Sequence, residues 1–189
     1  MTKHLIAVAA TILLALLVQL GRTEPGVAIA TSSTGGIERP VSYRLADSAP
    51  SIEVLLQRVL DALAKSDATA LRRLRMTEAE YREFIVPGSA KEGEQPAVLG
   101  VEDSNFYWQM LNTKSAYKEA ALLKGFGGRR WTLKEVEYAK GHKQYAWYDA
   151  YRTTVLTVVD DKGEENELVL GSIAHVDGQY KFVGLNGDR

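Results

Sequence analysis

The hydrophobic period of this chain changes once, near Arg129, and this change most restricts the folds open to it. Before Arg129, apolar residues recur every three or four positions, as on one face of an amphipathic helix. After it they alternate with polar residues, as in a half-buried β-strand. Helices followed by consecutive strands predict an α+β fold, in which N-terminal helices pack on a mainly antiparallel sheet of four to five strands.

The first helix is predicted by an apolar stripe that starts after Ser51. Either Ser48 or Ser51 caps this helix, because a serine hydroxyl accepts a hydrogen bond from an otherwise unpaired amide of the first turn. Charged residues occupy the opposite side, so the helix packs one face on a core. The stripe consists of Ile52, Leu55, Leu56, Val59, Leu60 and Leu63.

Two short helical stretches follow the first helix. Leu71 and Leu74 continue a helical pattern after the break at KSDAT. The sequence TEAE, residues 77–80, is a capping box that begins another helix, which we expect to end near Val86 because Pro87 follows. Capping accounts for both carboxylates of this motif, so they are assigned no catalytic role.

A longer helix is predicted from Asp103 or Ser104 to Gly125. Its apolar side chains fall close to one stripe, which we interpret as core, because aromatic residues at helical spacing usually pack inside a domain. Residues 96–101, before this helix, are the only candidate for a strand between it and the preceding helices. The stripe comprises Phe106, Met110, Tyr117, Ala120 and Ala121, with Tyr107, Trp108 and Leu111 beside it.

The alternating segments predict the strands. In residues 131–140, Val136 and Tyr138 fall one residue out of phase with Leu133, which indicates a β-bulge. Residues 151–160 are rich in threonine and valine, and residues 167–176 return the chain after a polar turn.

Asp177-Gly178 is the strongest hairpin signal in the chain, because a two-residue loop of this type needs two positive φ angles. The resulting register puts His175 opposite Tyr180 and Ile173 opposite Phe182, with all four side chains on one face. Farther along this face Gly171 lies opposite Gly184, and the pair either permits a sharp bend or leaves a hollow that forms a pocket floor. His175 is either a polar group of that pocket or a packing partner of Tyr180.

A second candidate site is HKQYAWYDAYR, residues 142–152, where aromatic residues surround Asp149. A tyrosine beside a carboxylate forms an acid–base pair only if burial raises the pKa of the carboxyl group, and spacing alone does not show burial. Cross-strand packing explains the same residues. The candidate ligand-binding residues are therefore His175, Tyr180, Ile173, Phe182, Tyr151, Asp149 and Trp147.

Catalytic residues, cofactors and metal ligands are not assigned. The chain has no glycine-rich phosphate loop and no nucleophile elbow, and it contains no cysteine. His142 is the only histidine besides His175 outside the first thirty residues, which argues against a histidine-rich metal site. The formal net charge of −1 gives no basic surplus, so we expect no nucleic-acid partner.

Residues 1–30 carry the pattern of a targeting segment. Lys3 and His4 precede an apolar run over residues 5–20, and small residues at 28–30 suit a cleavage site. The segment is either a cleaved signal peptide or an uncleaved membrane anchor. If it is not cleaved, residues 5–20 are the only expected membrane contact. Both alternatives place the domain outside the cytoplasm. Residues 31–47 are expected to form a flexible linker, and residues 48–189 the domain.

The order of these segments resembles the NTF2-like superfamily, the cystatin-related α+β cone. The resemblance rests on the helical segments IEVLLQRVLDALAKSDATAL and NFYWQMLNTKSAYKEAALLKG and on the ending VDGQYKFVGL. It implies a curved sheet around the first helix and a conical cavity open at one end. Such folds include both enzymes and binding modules without chemistry, so the resemblance does not select a function.

We therefore expect an exported, non-enzymatic module that binds a small apolar ligand or a protein partner. The alternative is a small isomerase or dehydratase of the SnoaL or ketosteroid-isomerase kind, using Asp149 or His175 with Tyr151 or Tyr180. A third reading is an envelope-anchored structural domain. By analogy with the superfamily, a homodimer could form through the open sheet face.

Overall fold

A computed structural model describes residues 38–90 and 99–188 of the chain. The predicted leader, residues 1–30, and residues 31–37 of the predicted linker lie outside the described residues. So do residues 96–98 of the candidate strand at 96–101; residues 99 and 100 have no regular secondary structure, and Val101 begins a helix. Within the two described ranges, no helix is both long enough and apolar enough to cross a membrane.

The helices come first in the chain, as predicted. Ser51 caps the first helix, accepting a hydrogen bond from the Val54 amide at 3.3 Å. The TEAE capping box is also confirmed, but the helix that it starts continues past its expected end through Pro87. The helical elements are α1 (Ile52–Ala64), α2 (Ala68–Arg73), α3 (Glu78–Glu80), a π-helical turn (Tyr81–Ile85), α4 (Val86–Gly88) and α5 (Val101–Phe126).

The strands form two antiparallel sheets rather than the single sheet expected. The first sheet has the order β1-β4-β5 and the second the order β2-β3-β6-β7. The α+β class is therefore confirmed. The strands are β1 (Thr132–Tyr138), β2 (His142–Gln144), β3 (Asp149–Tyr151), β4 (Thr154–Val159), β5 (Glu165–Val169), β6 (Ile173–Val176) and β7 (Gln179–Phe182).

The second sheet arises because the predicted strand over residues 167–176 breaks at Gly171. A Cβ atom on Gly171 would lie 1.6 Å from the carbonyl oxygen of Gly184, so the two backbones are in direct contact there. Strand β5 ends before this point in the first sheet, and β6 begins after it in the second. The glycine pair therefore serves a close backbone approach and does not leave a hollow.

The predictions about the hairpin and the bulge are confirmed, whereas the strand predicted over residues 151–160 is divided between β3, which ends at Tyr151, and β4, which begins at Thr154 in the other sheet. Asp177 and Gly178 have φ angles of 48° and 75°. The register pairs His175 with Tyr180 and Ile173 with Phe182. The register of β1 against β4 shifts between Leu133 and Glu135, at the predicted bulge.

Two apolar clusters lie on opposite faces of the second sheet. The stripe of α1 is buried in the first cluster, together with Ile173 and Phe182. Ala174 and Val176, which alternate with Ile173 along β6, belong to the second cluster. Leu45, inside the predicted linker, is also a member of the second cluster and is only 2% exposed.

The predicted core stripe of α5 faces solvent, so that prediction is wrong. Phe106 is 62% exposed and Tyr117 75% exposed, and Ala120 and Ala121 are exposed as well. The buried face of α5 is more polar. It consists of Ser104, Ser115, Glu119 and Leu122.

Polar contacts explain this orientation of α5. The Ser115 hydroxyl accepts a hydrogen bond from the Leu185 amide at 3.1 Å, and Glu119 accepts one from Arg72 at 3.0 Å. A Cβ atom on Gly184 would lie 2.8 Å from the Ser115 hydroxyl oxygen, so glycine at this position allows α5 to come close. The helix therefore presents its aromatic residues outwards.

Candidate functional site

The predicted site residues, with the exception of Trp147, share one face of the second sheet. Opposed residues of antiparallel strands point to the same side. Across β3, β6 and β7, one row of partners is Asp149, His175 and Tyr180, and the next row is Tyr151, Ile173 and Phe182. The structure thus joins the two sequence segments that were considered separately.

Trp147 lies apart from this face. It belongs to the second cluster, where its ring centroid is 5.5 Å from that of Phe84. The Tyr145 amide donates to the Tyr148 carbonyl at 2.9 Å, so Trp147 sits in the turn between β2 and β3 rather than in a strand. Strand alternation therefore does not apply to it.

Asp149 lies between two histidines, one of which was not predicted as a site residue. His142 Nε2 is 3.5 Å from Asp149 Oδ1, and His175 Nδ1 is 3.5 Å from Asp149 Oδ2. The pairing of β2 with β3 puts His142 opposite Tyr151, diagonal to Asp149. No local signal in the sequence fixes this pairing.

Each imidazole contacts a tyrosine ring. The His175 ring is stacked on Tyr180 with centroids 4.4 Å apart and an interplanar angle of 13°, while His142 lies 5.1 Å from Tyr151. Burial and the nearby Tyr180 and Asp149 raise the pKa of Tyr151, which keeps its hydroxyl protonated. The arrangement fits the packing interpretation of His175.

The His142–Asp149–His175 cluster is open to water. The exposed fractions of these side chains are 51%, 34% and 28%. None of the three lines a cavity described for residues 38–90 and 99–188. Within the same ranges, no group of three or more His, Cys, Asp or Glu side chains is placed to hold a metal ion.

A groove of about 310 Å³ lies between α5 and the second sheet, on the side of the second cluster. Met110 and Leu111 contribute apolar surface from α5. Lys114 and Arg152 bring two cations to the lining. Its tyrosines are Tyr81, Tyr107, Tyr145 and Tyr148.

Two tyrosine hydroxyls of the groove, those of Tyr148 and Tyr81, favour the neutral form. Burial, and then the neighbouring Tyr145 and Tyr81, raise the pKa of Tyr148 well above its ordinary value. Burial and Tyr107 likewise raise the pKa of Tyr81. Tyr145 and Tyr148 stack with centroids 4.8 Å apart. The groove therefore offers flat aromatic walls, with neutral hydroxyl groups at Tyr81 and Tyr148, which suit an apolar ring system.

The sequence did not predict the groove. The outward face of α5 contributes Tyr107 and Met110, and this face was assigned to the core. Tyr145 and Tyr148 were noted only as neighbours of Asp149, although Tyr148 belongs to the second cluster. The many aromatic residues in the α5 stripe are the one sequence signal from which a binding surface could have been inferred.

No family model, curated protein or solved structure matches this chain.

Proposed function

We propose that this chain is an exported, non-enzymatic, NTF2-like module that binds a small apolar molecule in the groove between α5 and the second sheet. The observation that carries the proposal is the outward face of α5. Tyr107 and Met110 are 42% and 41% exposed and line the groove. A ligand between them and Tyr145 would remove this apolar surface from water, at roughly 25 cal/mol for each Å² buried.

The size of the groove favours a small molecule over a protein partner. Ligand pockets generally have volumes of about 300–1,000 Å³. At about 310 Å³ the groove is at the lower end of that range. One ring system or a short chain is the expected occupant, with any polar group directed to Lys114 or Arg152.

Catalysis by Asp149 or His175 is the less favoured alternative. An isomerase of the ketosteroid-isomerase kind needs its base in an apolar cavity, with a tyrosine within hydrogen-bonding distance. The Asp149 and His175 side chains keep 34% and 28% of their surface exposed. Binding without chemistry therefore remains the proposal, and Asp149→Asn is expected to leave ligand binding unchanged.

The extracytoplasmic location belongs to the proposal and rests on the sequence of residues 1–30. Intact-mass measurement of the natively produced protein tests it. A mass that lacks this segment supports export with cleavage, and a mass that retains the segment contradicts cleavage.

The binding proposal is tested by thermal shift against a panel of lipids and steroids. We expect at least one apolar compound to raise the melting temperature of the wild-type protein. Met110→Lys places a charge in the groove wall and should abolish the shift. Tyr117→Lys is the matched control, since Tyr117 is exposed on the same helix outside the groove lining. A flat response across the panel, or equal shifts in both variants, would contradict the proposal.

A further inference from the structure

Among the described residues, Arg75 is a buried cation without a hydrogen-bond or ion-pair partner. Its side chain is only 7% exposed, and its Nε atom has no hydrogen-bond partner. Among the described residues, no hydrogen bond or ion pair reaches its guanidinium group. Arginine stays protonated in proteins, and buried charges are normally paired. The guanidinium group therefore has hydrogen-bond donors that no described residue satisfies.

The backbone holds Arg75 firmly in this position. The residue follows α2 and forms an isolated parallel bridge with Phe182 of β7. The Met76 amide donates to the Phe182 carbonyl at 2.7 Å, and the Phe182 amide donates to the Leu74 carbonyl at 3.0 Å. These hydrogen bonds fix the backbone on both sides of Arg75. A backbone movement therefore cannot carry its guanidinium group out to solvent.

Arg75 lines a cavity of about 420 Å³ between α2, α5 and β7. The lining includes three more cations, Arg72, Arg73 and Lys181, and one carboxylate, Asp47. Glu80 pairs with Lys181, and Glu119 pairs with Arg72. Within the described ranges, Arg73 and Arg75 have no ion-pair partner, so the cavity keeps a positive excess.

Glu119 is the internal group that competes for Arg75. It attracts the Arg75 charge, and burial acts in the opposite direction and lowers the pKa of Arg75. No hydrogen bond joins the two side chains: Oε1 of Glu119 accepts from Arg72, and its Oε2 is buried without a hydrogen-bond partner among the described residues. Glu119 therefore reduces the unfavourable energy of the buried cation but does not satisfy its donors.

We infer that the cavity beside Arg75 is a second binding site, distinct from the groove, for a small organic oxyanion. The planar guanidinium fork matches the two oxygens of a carboxylate or a phosphate group. Trp108 and Met76 provide an aromatic and an apolar wall, while Thr77 and Asn112 provide further polar groups. An aromatic acid or an aromatic phosphate ester fits this lining better than a bare inorganic ion does.

The experiment uses benzoate and phenyl phosphate as probes, with acetate, inorganic phosphate and neutral benzyl alcohol as comparisons at constant ionic strength. Both thermal shift and tryptophan fluorescence are recorded. We expect benzoate or phenyl phosphate to raise the melting temperature and to change the emission of Trp108, with little effect of benzyl alcohol. The probe that has the larger effect shows whether the site prefers a carboxylate or a phosphate group. Trp108→Phe should remove the change in emission.

Arg75→Met keeps the apolar stem and removes the charge, and it should weaken binding by about tenfold or more. Arg75→Lys should restore only part of the affinity, since lysine lacks the planar fork. Arg130→Met is the control, because Arg130 is exposed and lies outside the cavity lining. If no anion affects the wild-type protein, or if Arg75→Met binds as well as the wild type, the inference is wrong. The wild-type fluorescence titration decides the question even if Arg75→Met does not fold.

Discussion

The Nζ atom of Lys181 lies 2.8 Å from Oε2 and 3.1 Å from Oε1 of Glu80, and the two side chains are 1% and 6% exposed. Glu80 also accepts hydrogen bonds from the amides of Ala46, at 2.6 Å, and Thr77, at 2.7 Å. One carboxylate therefore ties β7 to the start of α3 and to the segment before α1.

Glu80→Gln is expected to destabilise the domain by about 3–5 kcal/mol, because it leaves the Lys181 ammonium group buried without its counter-charge. Lys181→Met should have a comparable effect. Urea unfolding measures both. Glu78→Gln in the same short helix is the control, since Glu78 is 52% exposed and pairs with Arg82 at the surface. That change should cost less than about 1 kcal/mol. Equal losses for Glu80→Gln and Glu78→Gln would contradict the structural role of the buried pair.

Gly171→Ala is expected to cost about 1–3 kcal/mol or more, because the new Cβ atom would overlap the Gly184 backbone. Gly125→Ala is the matched change within α5, where a Cβ atom would meet nothing within 4 Å. This variant should be stabilised by up to about 1 kcal/mol, because alanine favours helix. Thermal unfolding compares the two. A Gly171→Ala protein as stable as the wild type would show that the two backbones are not in contact.

Tyr148 should make stability depend on pH in the alkaline range. Its pKa is raised in the folded protein, whereas an unfolded tyrosine ionises near pH 10. The stabilisation that the raised pKa of Tyr148 provides is therefore complete below about pH 10. It is lost as the pH rises further, because the unfolded chain releases the tyrosine proton first. Between about pH 9 and pH 11, the wild type should lose on the order of 1.4 kcal/mol more unfolding free energy than Tyr148→Phe. Parallel losses in urea titrations at the two pH values would be evidence against a buried, neutral Tyr148.

The features that could be predicted from the sequence are those set by neighbouring residues. Asp177 and Gly178 carry the positive φ angles of the hairpin, and the register of β6 with β7 follows from them. The phase change after Leu133 is a local pattern as well. Both were therefore predicted correctly without knowledge of the rest of the chain.

The orientation of α5 could not be predicted, because it depends on distant partners. Hydrophobic periodicity favoured burial of Phe106 and Tyr117. The helix instead buries Ser115 and Glu119, whose partners are the Leu185 amide and Arg72. Periodicity finds an apolar stripe but does not show whether another element covers it.

The candidate site was predicted in part, for the same reason. Strand alternation and the hairpin placed Ile173, Tyr180 and Phe182 on the face of His175. His142 was missed because its place beside Asp149 depends on the pairing of β2 with β3. Arg75 carries no signal in the sequence, since nothing local shows that its side chain is buried.

Native mass spectrometry of the protein purified from its own source tests the binding proposal most directly. We predict that the wild-type protein carries the additional mass of a small apolar molecule, that Tyr117→Lys retains this mass and that Met110→Lys loses it. Binding in the groove between α5 and the second sheet would be contradicted if the wild-type mass equals that of the polypeptide alone, or if both variants carry the adduct equally.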